Sequence, residues 1–354
     1  MDAERGWRGG QRQTLLLSQE LVRRGHSCII AARAGDALAS RAQSAGLRVV
    51  DIRPRSEVGL LTAFALRRLI KRERIDVVHA QASHAFGLAA LATLGTGARL
   101  IVTRHLARAP RSNAGTRWKY ARADAVIAVS RAAADALDAS GVARVPIDIV
   151  PGGVEPRRTT KPASRAVLAS LGVVADAPLV VAVGALVPQK DPLTFVRAVD
   201  ALRRALPRVQ ALWLGDGELR RDVEREIAAL GLEHTIYLAG FRDDVDPLMC
   251  AGSAFVLSSR FEGLPLVIMD AFALGVPVVA TAGSGVPELV ADGVTGLLSP
   301  VGDAGALAES MRRVLTDSSL AAQLRRGALA RAPEYSIEHT AERTLTVYER
   351  VLAR

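Results

Sequence analysis

Short apolar runs alternate with amphipathic stretches along the whole chain. Gln11–Arg24 repeats apolar residues at helical spacing, with Leu15, Leu16, Leu17, Leu21 and Val22 toward one side, and Gly25 supplies the stop. Val58–Lys71 reads as a second helix. Ser27–Ala32, Leu47–Asp51, Asp76–His79, Leu100–Thr103, Ala125–Val129 and Pro146–Val150 read as strands. A second series follows at Leu179–Val183, Gln210–Leu214, Thr235–Leu238, Ala254–Leu257 and Val276–Ala280. Apolar strands that alternate with helices predict an α/β protein of parallel sheets covered on both faces. Between the two series, Glu155–Ser164 is polar, carries two prolines and follows the turn Pro151-Gly152-Gly153. It predicts a boundary between two doubly wound domains that face a cleft. Ligands of such sheets bind at the carboxyl ends of the strands.

The first helix begins too early for this pattern. A doubly wound domain opens on a strand that becomes central in its sheet. Here only MDAERGWRGG precedes the helix, and none of it is strand-like. The expectation is a first domain whose first strand is missing, either because the sheet lacks it or because the true start lies upstream.

Composition removes several classes. Apolar residues make up 49% of the 354 residues and charged ones 23%, as in ordinary globular proteins. Two cysteines, Cys28 and Cys250, exclude a disulfide scaffold or a cysteine-rich zinc module. The longest uncharged stretch, Val77–Ala98, holds two histidines, a glutamine and three glycines, so no spanning helix is expected. The first residues lack the apolar core of a signal peptide, and a cytoplasmic location is expected. Charge is unevenly placed. Residues 1–155 carry 24 Lys and Arg against 13 Asp and Glu, a net of +11, while the remainder nets −1. A basic half suits an anionic partner. Nucleic acid is not favoured, because aromatics for base stacking are only 4%. With 42 arginines and four lysines, each lysine kept is a candidate for a task that needs a compact point charge, and Lys190 is one.

Candidate chemistry lies in the loops after strands. Gly9 and Gly10 run into the first helix, where backbone N–H groups attract phosphate; a plain flexible terminus is the alternative. Gly184–Lys190 follows a strand and sets Lys190 before the next helix, where it can neutralise a leaving phosphate or simply be solvated. Gly215 and Gly217 bracket a strand–turn–helix junction and read equally well as turn punctuation. Glu262 stands in a loop and Asp270 two turns into the following apolar helix, so the two carboxylates can reach opposite ends of one ligand. Gly283, Gly285, Gly293 and Gly296 flank a short helix.

Together these motifs resemble retaining nucleotide-sugar glycosyltransferases of the GT-B fold, family-4 (group 1) type, from Gly6 to Arg354. The most specific stretches are Gly184–Lys190, Phe255–Asp270 and Gly283–Gly296. The resemblance implies an acceptor-side Rossmann-like domain at residues 1–157 and a nucleotide-sugar-binding Rossmann-like domain at 158–335. Residues 336–354 become a helix packing back on the first domain. It implies that Lys190 holds the donor diphosphate, that Glu262 lies near the transferred sugar and that Asp270 reaches the donor ribose. Gly9 and Gly10 match the loop facing the donor phosphates. Phe241, Arg242 and Val245 match the segment beside the base, and Gly215, Gly263 and Leu264 complete the donor set. His105, after the strand Ile101–Thr103, matches a residue near the sugar; a structural histidine reads as well. Two positions depart from the family: Ala185 replaces an arginine that shares the phosphate load, and Asp270 replaces a glutamate.

The implied reaction is hexosyl transfer with retention, without metal or cofactor, to an anionic or lipid-linked acceptor in bacterial cell-envelope glycan synthesis. Two other readings stay open. One is a nucleotide-sugar epimerase on the same fold, which would interconvert the donor without acceptor. The other is a catalytically impaired nucleotide-sugar-binding protein, motivated by Ala185. The basic half adds an expected peripheral contact with an anionic membrane on its inner face. Arg67, Arg68, Lys71, Arg72 and Arg74 cluster beside Leu69 and Ile70, and Arg104–Arg122 holds six basic residues and no acidic one.

Overall fold

The computed structural model describes residues 1–2, 6–52, 59–155, 160–174 and 176–354. The chain separates into two compact units, Met1–Glu155 with Tyr335–Arg354, and Pro156–Glu334. The boundary expected at residues 157 and 158 lies outside the described residues, as does Val58.

The first unit carries two parallel sheets. β1 (Ile29–Ala32) pairs with β2 (Arg48–Asp51). β3 (Val77–Ala80), β4 (Arg99–Arg104), β5 (Ala125–Ala128) and β6 (Ile147–Ile149) form the second sheet in chain order. The expected lack of a first strand takes a particular form. The Met1 amine donates to His79 O at 2.6 Å, and Gln81 N donates to Met1 O at 2.9 Å. Asp2 N donates to Ala31 O at 3.0 Å. Met1 and Asp2 thus bond to β1 on one side and β3 on the other, as a central strand does. No strand is assigned among the described residues before β1. Helix Gly9–Arg23 buries Leu16, Leu17 and Leu21 against Ile337 and Ala341 of the last helix, Ile337–Leu352.

Helix Leu60–Arg72 packs Ala63, Leu66 and Ile70 into the core of this unit. The basic cluster was expected to stand beside an exposed Leu69 and Ile70. Instead Ile70 is buried and Leu69 packs against the same core, because both fall on the inward side of the 3.6-residue repeat. The large apolar residues left outside on this helix are Leu60, Leu61 and Phe64.

The second unit is one six-stranded parallel sheet: β7 (Leu179–Val183), β8 (Gln210–Leu214), β9 (Ile236–Gly240), β10 (Ala254–Leu257), β11 (Val278–Thr281) and β12 (Gly296–Ser299). The spatial order is β12-β11-β10-β7-β8-β9. The strands before β12 lie where the apolar runs predict them. β12 is not among the strands read from the sequence, since it begins with glycine and offers only Leu297 and Leu298 as large apolar residues. Strands β7, β8, β10 and β11 are buried almost throughout, which explains their continuous rather than alternating hydrophobicity. Phe195 and Trp213 meet edge to face at 5.2 Å in this core, and Trp213 Nε1 donates to Gly184 O at 2.9 Å. Among the described residues, no helix is long and apolar enough to cross a membrane.

Candidate functional site

In the sheet of the second unit the chain winds from β7 through β8 to β9, then returns to β10 on the other side of β7. β7 and β10 therefore flank the topological switch point, where the carboxyl ends of the strands leave a ligand-sized crevice. The loops leaving these two strands carry Lys190 and Glu262. Lys190 Nζ donates to Glu262 Oε1 at 2.5 Å. Ser259 Oγ donates to the same oxygen at 2.7 Å, and Gln189 Nε2 donates to Oε2 at 3.3 Å and to Phe261 O at 3.1 Å. The backbone joins the loops too: Arg260 N donates to Gln189 O at 2.8 Å, and Ser258 Oγ to Lys190 O at 2.9 Å. The side chains of Lys190 and Glu262 are 20% and 8% exposed. The glutamate is thus a buried charge with all its donors in place, while the ammonium keeps an open side.

Asp191 follows Lys190 in the left-handed region, at φ 47°, and caps helix Pro192–Ala205 by accepting from Thr194 N at 3.4 Å. Arg260 Nε lies 3.0 Å from Asp191 Oδ2. The two attract as charges, but the approach is off line for a hydrogen bond, and that oxygen has no hydrogen-bond partner. Arg260 is thereby the second cation beside Lys190, at the junction where Ala185 supplies none.

Two glycines let these loops approach. Gly215 adopts φ 137°, and a Cβ there would stand 2.1 Å from Gly184 O. A Cβ on Gly285 would stand 1.7 Å from Gly263 O. The loops after β8 and β11 therefore press backbone to backbone on those after β7 and β10. Leu264 leads into helix Leu266–Leu274, on which Asp270 is 4% exposed. Phe241, Arg242 and Val245 follow β9, the edge strand on the far side of β8. Val245 opens helix Val245–Ala251 and joins the apolar cluster that holds Val181 and Val183 of β7. Phe241 is 57% exposed. Arg242 grips Asp244 with two bonds of 2.7 Å and holds its carboxyl below the ordinary range.

The remaining expected residues belong to the first unit. Gly9 and Gly10 are the first residues of helix Gly9–Arg23, where the backbone N–H groups have no partners within the helix. His105 directly follows β4, and its Nε2 meets Gln81 Oε1 at 3.3 Å. The amide oxygen only accepts, so Nε2 carries the proton. Burial, then the neighbouring Arg104, push the His105 pKa down to about 4, which keeps the ring neutral at pH 7. Behind it lies a set of partners that sequence reasoning missed. His79 Nε2 meets Thr103 Oγ1 at 2.6 Å, and His79 Nδ1 meets the Tyr348 hydroxyl at 2.7 Å. Burial holds His79 far below its ordinary pKa. Gln189 and Ser259, which hold Glu262, lie inside the stretches Gly184–Lys190 and Phe255–Asp270, but the sequence reading gave them no role. Among the described residues, no group of three His, Cys, Asp or Glu side chains is placed to hold a metal ion.

Comparison with known proteins gives this architecture its class. Residues 7–158 match the model described as Glycosyltransferase Family 4, and residues 177–317 the model described as Glycosyl transferases group 1. The chain is 30% identical over 284 residues to the GDP-mannose-dependent alpha-(1-6)-phosphatidylinositol monomannoside mannosyltransferase of Mycolicibacterium smegmatis, covering 74% of this chain and 73% of that one. It therefore belongs to the family-4, group 1 glycosyltransferases. It is also 36% identical over 156 residues to the lipopolysaccharide core biosynthesis glycosyltransferase LpsE of Rhizobium meliloti, 44% of this chain and 45% of that relative. The match thus spans less than half of LpsE. Anabaena HepE, solved with UDP and glucose, superposes with a TM-score of 0.86 at 22% identity, over 99% of this chain and 98% of that one. The fold is GT-B, as the resemblance implied.

Proposed function

We propose that this protein transfers a hexosyl group from a nucleotide-sugar donor to a lipid-linked or cell-envelope glycan acceptor, with retention and without a metal ion. The observation that carries the reading is the Lys190–Glu262 pair at the switch point of the six-stranded sheet. An ammonium fixed there faces the position that a diphosphate takes in doubly wound sheets, and stabilises the charge that develops as the glycosidic bond breaks. Arg260 adds a second cation once it leaves Asp191. Glu262, held by Ser259 and Gln189, lies beside the sugar and supports its oxocarbenium character. The donor's own phosphate takes the acceptor proton, which gives retention without a protein base.

Asp270, Phe241, Arg242, Val245, Gly215, Gly263 and Leu264 serve the ribose, the base and the loops around them. Gly9, Gly10 and His105 keep the roles that the resemblance assigned, at the donor phosphates and the sugar. Two relatives support the substrate classes. One is named for GDP-mannose and a phosphatidylinositol mannoside, another, from Escherichia coli, for UDP-Gal and a diphosphoundecaprenol-linked sugar.

The test is a thermal-shift panel of nucleotide sugars followed by turnover of the best ligand with lipid-linked acceptors. The anomer is read by NMR, and activity is compared with and without chelator. Loss of turnover by Lys190→Ala with folding intact supports the assignment. Tight donor binding with no turnover on any acceptor would establish the binding-protein reading instead, and donor interconversion without acceptor would establish an epimerase.

A further inference from the structure

The exposed face of helix Leu60–Arg72 is unlike the rest of the first unit. Leu60, Leu61 and Phe64 are 73%, 88% and 58% exposed. At 100° per residue they share one sector of about 120° with Arg68, Lys71 and Arg72, while Ala63, Leu66 and Ile70 occupy the opposite, buried side. The outer face is therefore divided along its length. Its first turn is large and apolar, and its last two turns are cationic. Arg68 lies 5.6 Å from the centre of the Phe64 ring, which joins the two halves. Glu73 is taken by Arg48 and Arg72, at 2.8 Å and 3.0 Å. Arg68 and Lys71 have no ion-pair partner among the described residues.

A solvated basic helix accounts for the cations but not for three protruding apolar side chains. Two leucines and a phenylalanine in water need a partner that takes apolar side chains from a convex surface and accepts cations beside them. A protein groove meets the first need. A bilayer interface with anionic headgroups meets both at once, since apolar residues enter the acyl boundary while the cations lie at phosphate level. The helix has 13 residues, too few to cross a bilayer. The net charge of +11 in residues 1–155 adds a long-range attraction in the same sense.

We propose that Leu60, Leu61 and Phe64, backed by Arg68 and Lys71, dock the first unit on an anionic lipid surface. This deepens the acceptor reading above and rests on it in one respect: the bilayer is where a lipid-linked acceptor is presented. Docking is read without turnover, so failure of one reading does not carry the other with it.

The test is co-sedimentation of the full chain with phosphatidylglycerol-containing vesicles and with pure phosphatidylcholine vesicles, at low and moderate salt. The wild-type chain is expected to sediment with the anionic vesicles and to be released by salt. Leu61→Ser/Phe64→Ser should weaken binding about tenfold by removing the inserted side chains. Arg68→Gln/Lys71→Gln should weaken it about fivefold per charge and flatten the salt dependence. All four side chains are at the surface, so unchanged thermal melts are expected and separate lost docking from lost folding. Equal recovery in the supernatant with both vesicle types overturns the proposal. So does full binding by the Leu61→Ser/Phe64→Ser variant, which would move the contact to the Arg104–Arg122 segment. Capture by soluble polyaspartate with no affinity for vesicles would assign the face to an acidic polypeptide and also overturns it.

Discussion

Replacing Lys190 by methionine removes the ammonium and keeps most of the stem, which runs past Gly184 where a Cβ would stand 3.4 Å from it. Glu262, at 8% side-chain exposure, then keeps Ser259 and Gln189 as donors but loses its cation. Stranding one partner of a fully buried ion pair costs about 3–5 kcal/mol. Here the lysine is 20% exposed and two neutral donors remain, so a loss of about 2–3 kcal/mol is expected, read as a fall in urea midpoint. Lys190→Met/Glu262→Gln, in which neither charge remains, should recover most of that stability. Turnover should behave differently. If the ammonium stabilises a leaving phosphate, Lys190→Met loses about 10²–10³ in kcat, and the double variant stays as slow as the worse single one. A double variant that regains both stability and turnover would show that the pair only props up the loops, and the assignment of Lys190 to the donor would fall.

Gly285→Ala places a methyl group on the Gly263 carbonyl oxygen, which is backbone and cannot swing aside. A loss of about 3 kcal/mol is expected in urea, with donor binding weakened as the Glu262 loop shifts. Acidification tests the buried histidines. The folded His105 ring has its pKa depressed to about 4 from an ordinary 6.5, so between those values the unfolded chain binds more protons, and stability falls as pH drops through that window. His105→Gln should flatten the slope in urea midpoints measured against pH, leaving the share due to His79. Tyr348→Phe deprives His79 Nδ1 of its 2.7 Å partner and should cost about 1–2 kcal/mol, seen as a lower thermal midpoint.

The sequence-derived strands and the order of motifs in the second unit were legible because parallel strands buried on both faces leave uninterrupted runs, as in β7, β8, β10 and β11. β12 was not, since Gly296 and Ser299 give a four-residue strand the composition of a turn. Lys190 and Glu262 could be named from the loops that carry them, yet their bond could not: residues 72 apart meet only because β10 returns beside β7, and strand order leaves no trace in local pattern. The same holds for His79 and Tyr348, 269 residues apart. The basic helix shows the opposite failure. Its charges were read correctly, but the apolar residues beside them were taken from the wrong side of the helix. Leu69 and Ile70 are adjacent to the arginines in sequence and face the core, whereas Phe64, one turn back, shares the surface with Arg68. Neighbourhood on a helix runs at three and four residues, so a surface patch assembled from consecutive residues mixes the inside with the outside.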